Sequence, residues 1–131
     1  MPNDDAWKVA DGAGPYGNLR ERFLRYVVRV FRIAAALPKS VEAQLVRVQI
    51  GKSGSSTGAN YNEACGAESR NDFIHKLQIV LKELRETDFW LRVIVAAEML
   101  PAEKMKDILQ ETDELIGIVV TSIKTARKSG Q

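Results

Sequence analysis

Apolar side chains in this chain return at steps of three and four, in four separate stretches. Leu19, Phe23, Tyr26, Val30, Ile33 and Leu37 form the first set, and Val41, Leu45 and Val48 the second. Phe73, Leu77, Val80, Leu84, Leu91 and Val95 form the third. Met105, Ile108, Leu109, Thr112, Leu115, Val119 and Ile123 form the fourth. A helix turns once every 3.6 residues, so each set lines one helical face, whereas a strand would need alternation. No such alternation appears. The expected fold class is therefore all-α. Short connectors make neighbouring helices antiparallel, which gives an up-down-up-down four-helix bundle.

The punctuation agrees with the periodicity. Asn18 stands before the first set with Glu21 three residues on, a variant of the capping box. Pro38 ends that helix, and Ser40 opens the second. Gly66 reads as a C-terminal stop, Ser69 with Asp72 opens the third helix, and Pro101 fits the first turn of the fourth. Lys124, Arg127 and Lys128 crowd the last C-terminus, where cations suit the helix dipole. The expected organisation is a flexible lead over residues 1–17, a bundle over 18–128 and a tail over 129–131. The lead is the stretch that Gly12, Gly14, Pro15 and Gly17 punctuate.

At 131 residues, 45% hydrophobic and 27% charged, the chain suits one globular domain. Its net charge of +2 is too small to argue nucleic-acid binding from the total. One cysteine, Cys65, excludes an intrachain disulfide, and one histidine, His75, beside it leaves a four-ligand zinc site out of reach within one chain. No apolar run approaches the ~20 residues of a membrane helix, and no secretory leader is evident. The expected home is the cytoplasm, with no membrane partner.

Two helices carry more apolar surface than one core needs. Val28, Phe31 and Ala35 form a second row on helix one. Ile79, Trp90, Val93 and Ala97 form another on helix three, nearly opposite Phe73 and Leu84. A helix apolar on two sides is buried on two sides, so these rows predict an oligomer interface.

The catalytic patterns that tempt a reader do not hold. Gly51, Lys52 and Ser53 suggest a phosphate loop, but Val46 stands where its first glycine belongs and no strand precedes it. Cys65 and His75 flank one turn without an orienting third group; a small buried cysteine and a surface histidine account for them better. Glu63, Glu83 and Glu86 lack the Glu-x-x-His pattern of di-iron bundles. The expectation is no enzyme, no metal, no cofactor and no small-molecule substrate.

Arg22, Arg25, Arg29 and Arg32 align along one side of helix one at steps of three, four and three. A row of guanidinium groups suits phosphates, and equally suits carboxylates such as Asp88 or Glu111 on neighbouring helices or subunits. The expected function is an oligomeric scaffold that contacts RNA, DNA or a nucleic-acid-handling protein through this stripe. The alternative is a structural homo-oligomer whose arginines pair with acids.

Residues 51–60 look like a loop by propensity, since Gly51, Gly54 and Gly58 each weaken a helix. Gly54 and Gly58, four apart, share a face with Ser53, Thr57 and Tyr61, and small residues at that spacing let another helix approach. One long helix with a close crossing is the expectation.

Two stretches carry a family resemblance. Gln49, Ile50 and the small-residue run from Gly51 lead into Asn60, Tyr61, Glu63 and Ala64. Ser69, Arg70, Asn71, Asp72 and Phe73 lead on to Glu86, Thr87, Trp90 and Leu91. Together they resemble the four-helix-bundle proteins encoded in intervening sequences of bacterial large-subunit rRNA genes, once mislabelled as a small-subunit ribosomal protein. The likeness runs from about Asn18 to Arg127. Thr57 departs from it, standing where the family usually carries an apolar residue. The resemblance implies an antiparallel four-helix bundle and a ring-like homo-oligomer, a pentamer as first guess, and no established activity. A more distant likeness, of fold alone, is to the accessory protein of diversity-generating retroelements, which binds nucleic acid.

Overall fold

The computed structural model describes residues 18–129; the expected lead and the last two residues of the tail lie outside them. Four helices and no strands make up the described chain: α1 (Leu19–Ala36), α2 (Val41–Cys65), α3 (Arg70–Ala96) and α4 (Ala102–Lys128). The arrangement is consistent with a four-helix bundle. No helix is long and apolar enough to cross a membrane among the described residues.

Three starts are capped as their sequences dictate. Asn18 Oδ1 accepts from the Glu21 amide, Ser40 Oγ from Ala43, and Ser69 Oγ from Asp72. Each satisfies one of the amides that a first turn leaves without a partner. Pro101, expected in the first turn of α4, is its N-cap; it has no side chain to accept, and its carbonyl takes the Lys104 amide at 3.0 Å. The end of α1 has no basic residue of its own. Arg47 on α2 supplies it, donating to the carbonyls of Ala34, Leu37 and Pro38, each at 3.1 Å.

Partners descend along one helix as they ascend along the next. Arg20 on α1 donates to Asn62 on α2, and Ala34 accepts from Arg47. Ser53 on α2 meets Thr87 on α3, and Glu63 meets Lys76. α1 and α3 each touch α2 and α4 but not one another, so they stand at opposite corners.

One core runs through the middle: Phe23, Tyr26 and Val30 from α1, Val46 and Ile50 from α2, Leu77, Leu84 and Leu91 from α3, Met105, Leu115 and Val119 from α4. Four serine and threonine side chains, Ser53, Thr57, Thr87 and Thr112, are buried with it. Tyr26 and Thr112 share a hydrogen bond at 2.7 Å, and the Thr87 hydroxyl reaches Ser53 at 2.9 Å. Thr57, the position that departs from the family pattern, is wholly buried and donates to its own Gly54 carbonyl at 2.7 Å.

The second helix corrects the sequence reading of its face. Val41, Leu45 and Val48 are exposed, at 83%, 59% and 46%, and Ala43, Val46 and Ile50 are the buried residues. Both sets have helical spacing. The inner one continues into Ser53, Gly54, Thr57 and Tyr61, and small residues there leave hydropathy almost uninformative. Residues 51–60 are helical throughout.

Candidate functional site

α1 presents two rows to the outside. Phe23, Tyr26, Val30 and Ala34 face the core. Leu24, Val28, Phe31 and Ala35 lie on the far side and are exposed. The arginines run along the flank that meets α4, as the contacts of their first member show. Arg22 holds Glu111 through two hydrogen bonds, at 2.8 and 2.6 Å, and reaches Glu114 at 3.3 Å. That fork raises the guanidinium's affinity for its proton, chiefly through the hydrogen bond to Glu111.

Arg22 is therefore not part of a free stripe. Its charge is spent on the α1–α4 seam, where the sequence had offered Glu111 as one partner. The other three differ. Arg25 has Glu21 at 3.9 Å, a contact too long to hold it. Arg29 is half-buried and Arg32 exposed, and neither makes an ion pair among the described residues. The stripe that remains outward is Arg25, Arg29 and Arg32.

On the flank toward α2 the surface sinks. A groove of about 660 Å³ is lined by Leu24 and Val27 on one side and Ser55, Gly58 and Ala59 on the other. It exists because α2 carries glycines and other small residues at the crossing. A Cβ on Gly54 would lie 2.6 Å from Val30 Cγ1, and one on Gly58 would lie 2.8 Å from Val27 Cγ2. Both glycines thus stand where α1 and α2 approach most closely.

The expected row on α3 is only partly outside. Trp90 and Val93 are half-buried against the core, Ile79 is half-buried, and Ala97 is exposed. Trp90 and Val93 thus serve the shared core in part, beside its buried residues Thr87 and Ile94, and are not a wholly outward row. The residue that points fully outward is Phe89, 57% exposed, its ring edge-on to Trp90 at 5.0 Å. Sequence reasoning passed over Phe89 and Leu24. The signal was available: each is three or four residues from the outer row and off every buried set. No large apolar side chain is exposed on α4 among the described residues.

Cys65 is exposed, which corrects the buried-cysteine expectation, and His75 is exposed as expected. No group of three or more metal-ligating side chains gathers among the described residues. Glu83 and Glu86 form no ion pair there either. Burial, then repulsion from Glu86, push the Glu83 carboxyl above the usual range, and Lys82 only partly offsets them.

The described chain is an all-α protein of four helices, consistent with a four-helix bundle. The chain belongs to the 23S rRNA-intervening sequence protein family, whose pattern matches residues 19–121. It is similar to a crystal structure of a protein of unknown function from the S23 ribosomal protein family of Bacteroides thetaiotaomicron. The identity is 34%, the match covers 81% of this chain and 98% of that one, and the TM-score is 0.76. No curated protein matches the chain.

Proposed function

We propose that this protein is a non-enzymatic, homo-oligomeric scaffold of the cytoplasm, built on an antiparallel up-down-up-down bundle, whose α1 face engages an anionic macromolecule. The observation that carries this reading is the distribution of exposed large apolar side chains. They sit on α1, α2 and α3, and none of those described is on α4. A monomer scatters such residues singly over its whole surface, while a contiguous patch marks an interface. The descending partners of α1 with α2 and of α2 with α3 support the antiparallel arrangement.

The anionic partner is RNA or DNA in the first reading. Arg25, Arg29 and Arg32 lie in line without firm carboxylate partners, and each phosphate they neutralise makes binding more salt-dependent. No aromatic row interleaves them, so backbone contact without base preference is expected. The test is retention of labelled RNA and DNA across a salt series, with Arg25→Glu/Arg29→Glu as the comparison. Binding that weakens steeply with salt and vanishes in the variant supports the reading, and absence of binding at low salt ends it.

A specific observation favours a second reading, in which the arginines pair with carboxylates. Arg22, the first of the row, already does so with Glu111 and Glu114.

A further inference from the structure

The groove between α1 and α2 lies where residues 1–17 join the bundle. Asn18, the first described residue, is part of its lining, with Leu24 and Val27 of α1 and Ser55, Gly58 and Ala59 of α2. Its volume of about 660 Å³ falls in the ~300–1,000 Å³ range of sites that take a drug-sized group. Leu24 and Ala59 are exposed, so the described helices leave both walls open. Tyr61 also lines it and stacks on Phe23 with ring centres 4.7 Å apart, which gives the groove an aromatic edge.

The segment that joins there has the chemistry to fill it. It holds one large apolar ring, Trp7, followed by the turn-forming residues Gly12, Gly14, Pro15 and Gly17. It also holds three acids, Asp4, Asp5 and Asp11, against Lys8, while α1 holds five arginines against Glu21. One of the five, Arg20, lines the groove. Reach is sufficient. Ten residues separate Trp7 from Asn18, and fully extended they span at most about 35 Å. Leu24 and Val27 stand six and nine residues beyond Asn18, about 9 and 14 Å along α1 at the helical rise. The chain can therefore reverse at its glycines and still arrive with slack. A group tethered this closely acts at a millimolar effective concentration, so a weak contact suffices.

We propose that residues 1–17 fold back as a strap over this groove, with the Trp7 indole seated between Leu24 and Val27 on one side and Ser55, Gly58 and Ala59 on the other. The apolar contact fixes the place, and the acids favour the approach to α1. Each strap fills the groove of its own chain. The inference does not rest on the scaffold reading, since one subunit supplies both parts. It also lies outside the family pattern, which begins at residue 19.

The test follows Trp7 by fluorescence in the full chain, subtracting in each case the matching Trp7→Phe protein, which keeps Trp90. Acrylamide should quench the wild-type difference signal several-fold less than it quenches a free indole, and the emission should lie to the blue. Leu24→Asp and Ala59→Glu each put a carboxylate in the groove at an exposed position, so circular dichroism should show helix content unchanged. Either should return Trp7 to full quenching. Leu24→Asp chains mixed with Trp7→Phe chains should regain no shielding, because each strap serves its own groove. If wild-type Trp7 quenches like a free indole, the segment does not dock and the proposal is overturned. Shielding that both groove substitutions leave intact means that Trp7 docks elsewhere, which overturns it as well. Shielding that returns in the mixture puts the strap on a neighbouring copy and overturns the assignment within one chain. None of these readouts involves RNA retention or subunit number, so a failure here is distinct from a failure of the scaffold reading.

Discussion

Three glycines in one helix show how much a single position depends on what stands opposite it. Gly51, Gly54 and Gly58 all lie within α2. Gly51 has nothing within 4 Å of where a Cβ would sit, while Gly54 faces the β-branched Val30, which cannot swing aside. Gly51→Ala should therefore stabilise by about 0.5–1 kcal/mol, because alanine restricts the unfolded chain and fits the helix. Gly54→Ala should destabilise by about 1–3 kcal/mol through overpacking. Urea melts of the two variants check this, and equal shifts would show that the crossing is looser than the distances say. Glu83 makes a second prediction at this scale. Its carboxyl has a higher pKa folded than unfolded, because burial and Glu86 disfavour its charge, with Lys82 opposing. The folded state then holds the proton more tightly, so stability falls as pH rises through the window from the unfolded to the folded pKa. Glu83→Gln should flatten that fall and leave the protein more stable near neutral pH. Thermal melts from pH 4 to 7 read it out; an unchanged slope would place Glu83 in a fully solvated setting.

At the scale of the element, most of the fold was legible and one helix was not. The caps at Asn18, Ser40 and Ser69 followed from side-chain chemistry that acts within one turn, so sequence alone could place them. The faces of α1, α3 and α4 followed from large apolar residues at helical steps. On α2, Val41, Leu45 and Val48 gave the stronger apolar signal and lie outside, because Ser53, Gly54 and Thr57 do the packing at the crossing and carry little hydropathy. The same blindness applies to the site. The helical alignment of Arg22, Arg25, Arg29 and Arg32 could be read, but which of them meets a carboxylate depends on how α4 lies against α1. Arg47 was invisible for that reason as well, since its carbonyl partners belong to another helix. It closes the end of α1 with three bonds to carbonyls. Arg47→Lys keeps the charge and loses the planar fork that reaches all three. It should cost about 1–3 kcal/mol, the range for hydrogen bonds to a charged donor. Hydrogen exchange should speed up most at the last turn of α1 and the first turn of α2. Exchange that rises evenly over all four helices would show that the fork is not a local clamp.

For the whole molecule, the asymmetry of the surface decides what substitutions can reveal about assembly. α1 and α2 expose Leu24, Val28, Phe31, Val41, Leu45 and Val48, and α3 exposes Phe89. Trp90 belongs to a different class, because its ring packs against the shared core. A charge at position 90 would thus lie half-buried against that core within a single chain, where an unpaired carboxylate is destabilising. A charge at position 31 is buried only if another molecule covers α1. Trp90→Glu should therefore lower the melting temperature and helix content even where no partner is present. Phe31→Glu should leave the helix signal of the dilute protein almost unchanged and should abolish the concentration dependence of its melting temperature. That dependence is the mark of a folded state stabilised by association. Melts over a hundredfold range of protein concentration, for wild type and both variants, make the comparison. A wild-type melting temperature that does not move with concentration, together with an unaltered Phe31→Glu, would mean that the exposed rows of α1 and α2 face water throughout.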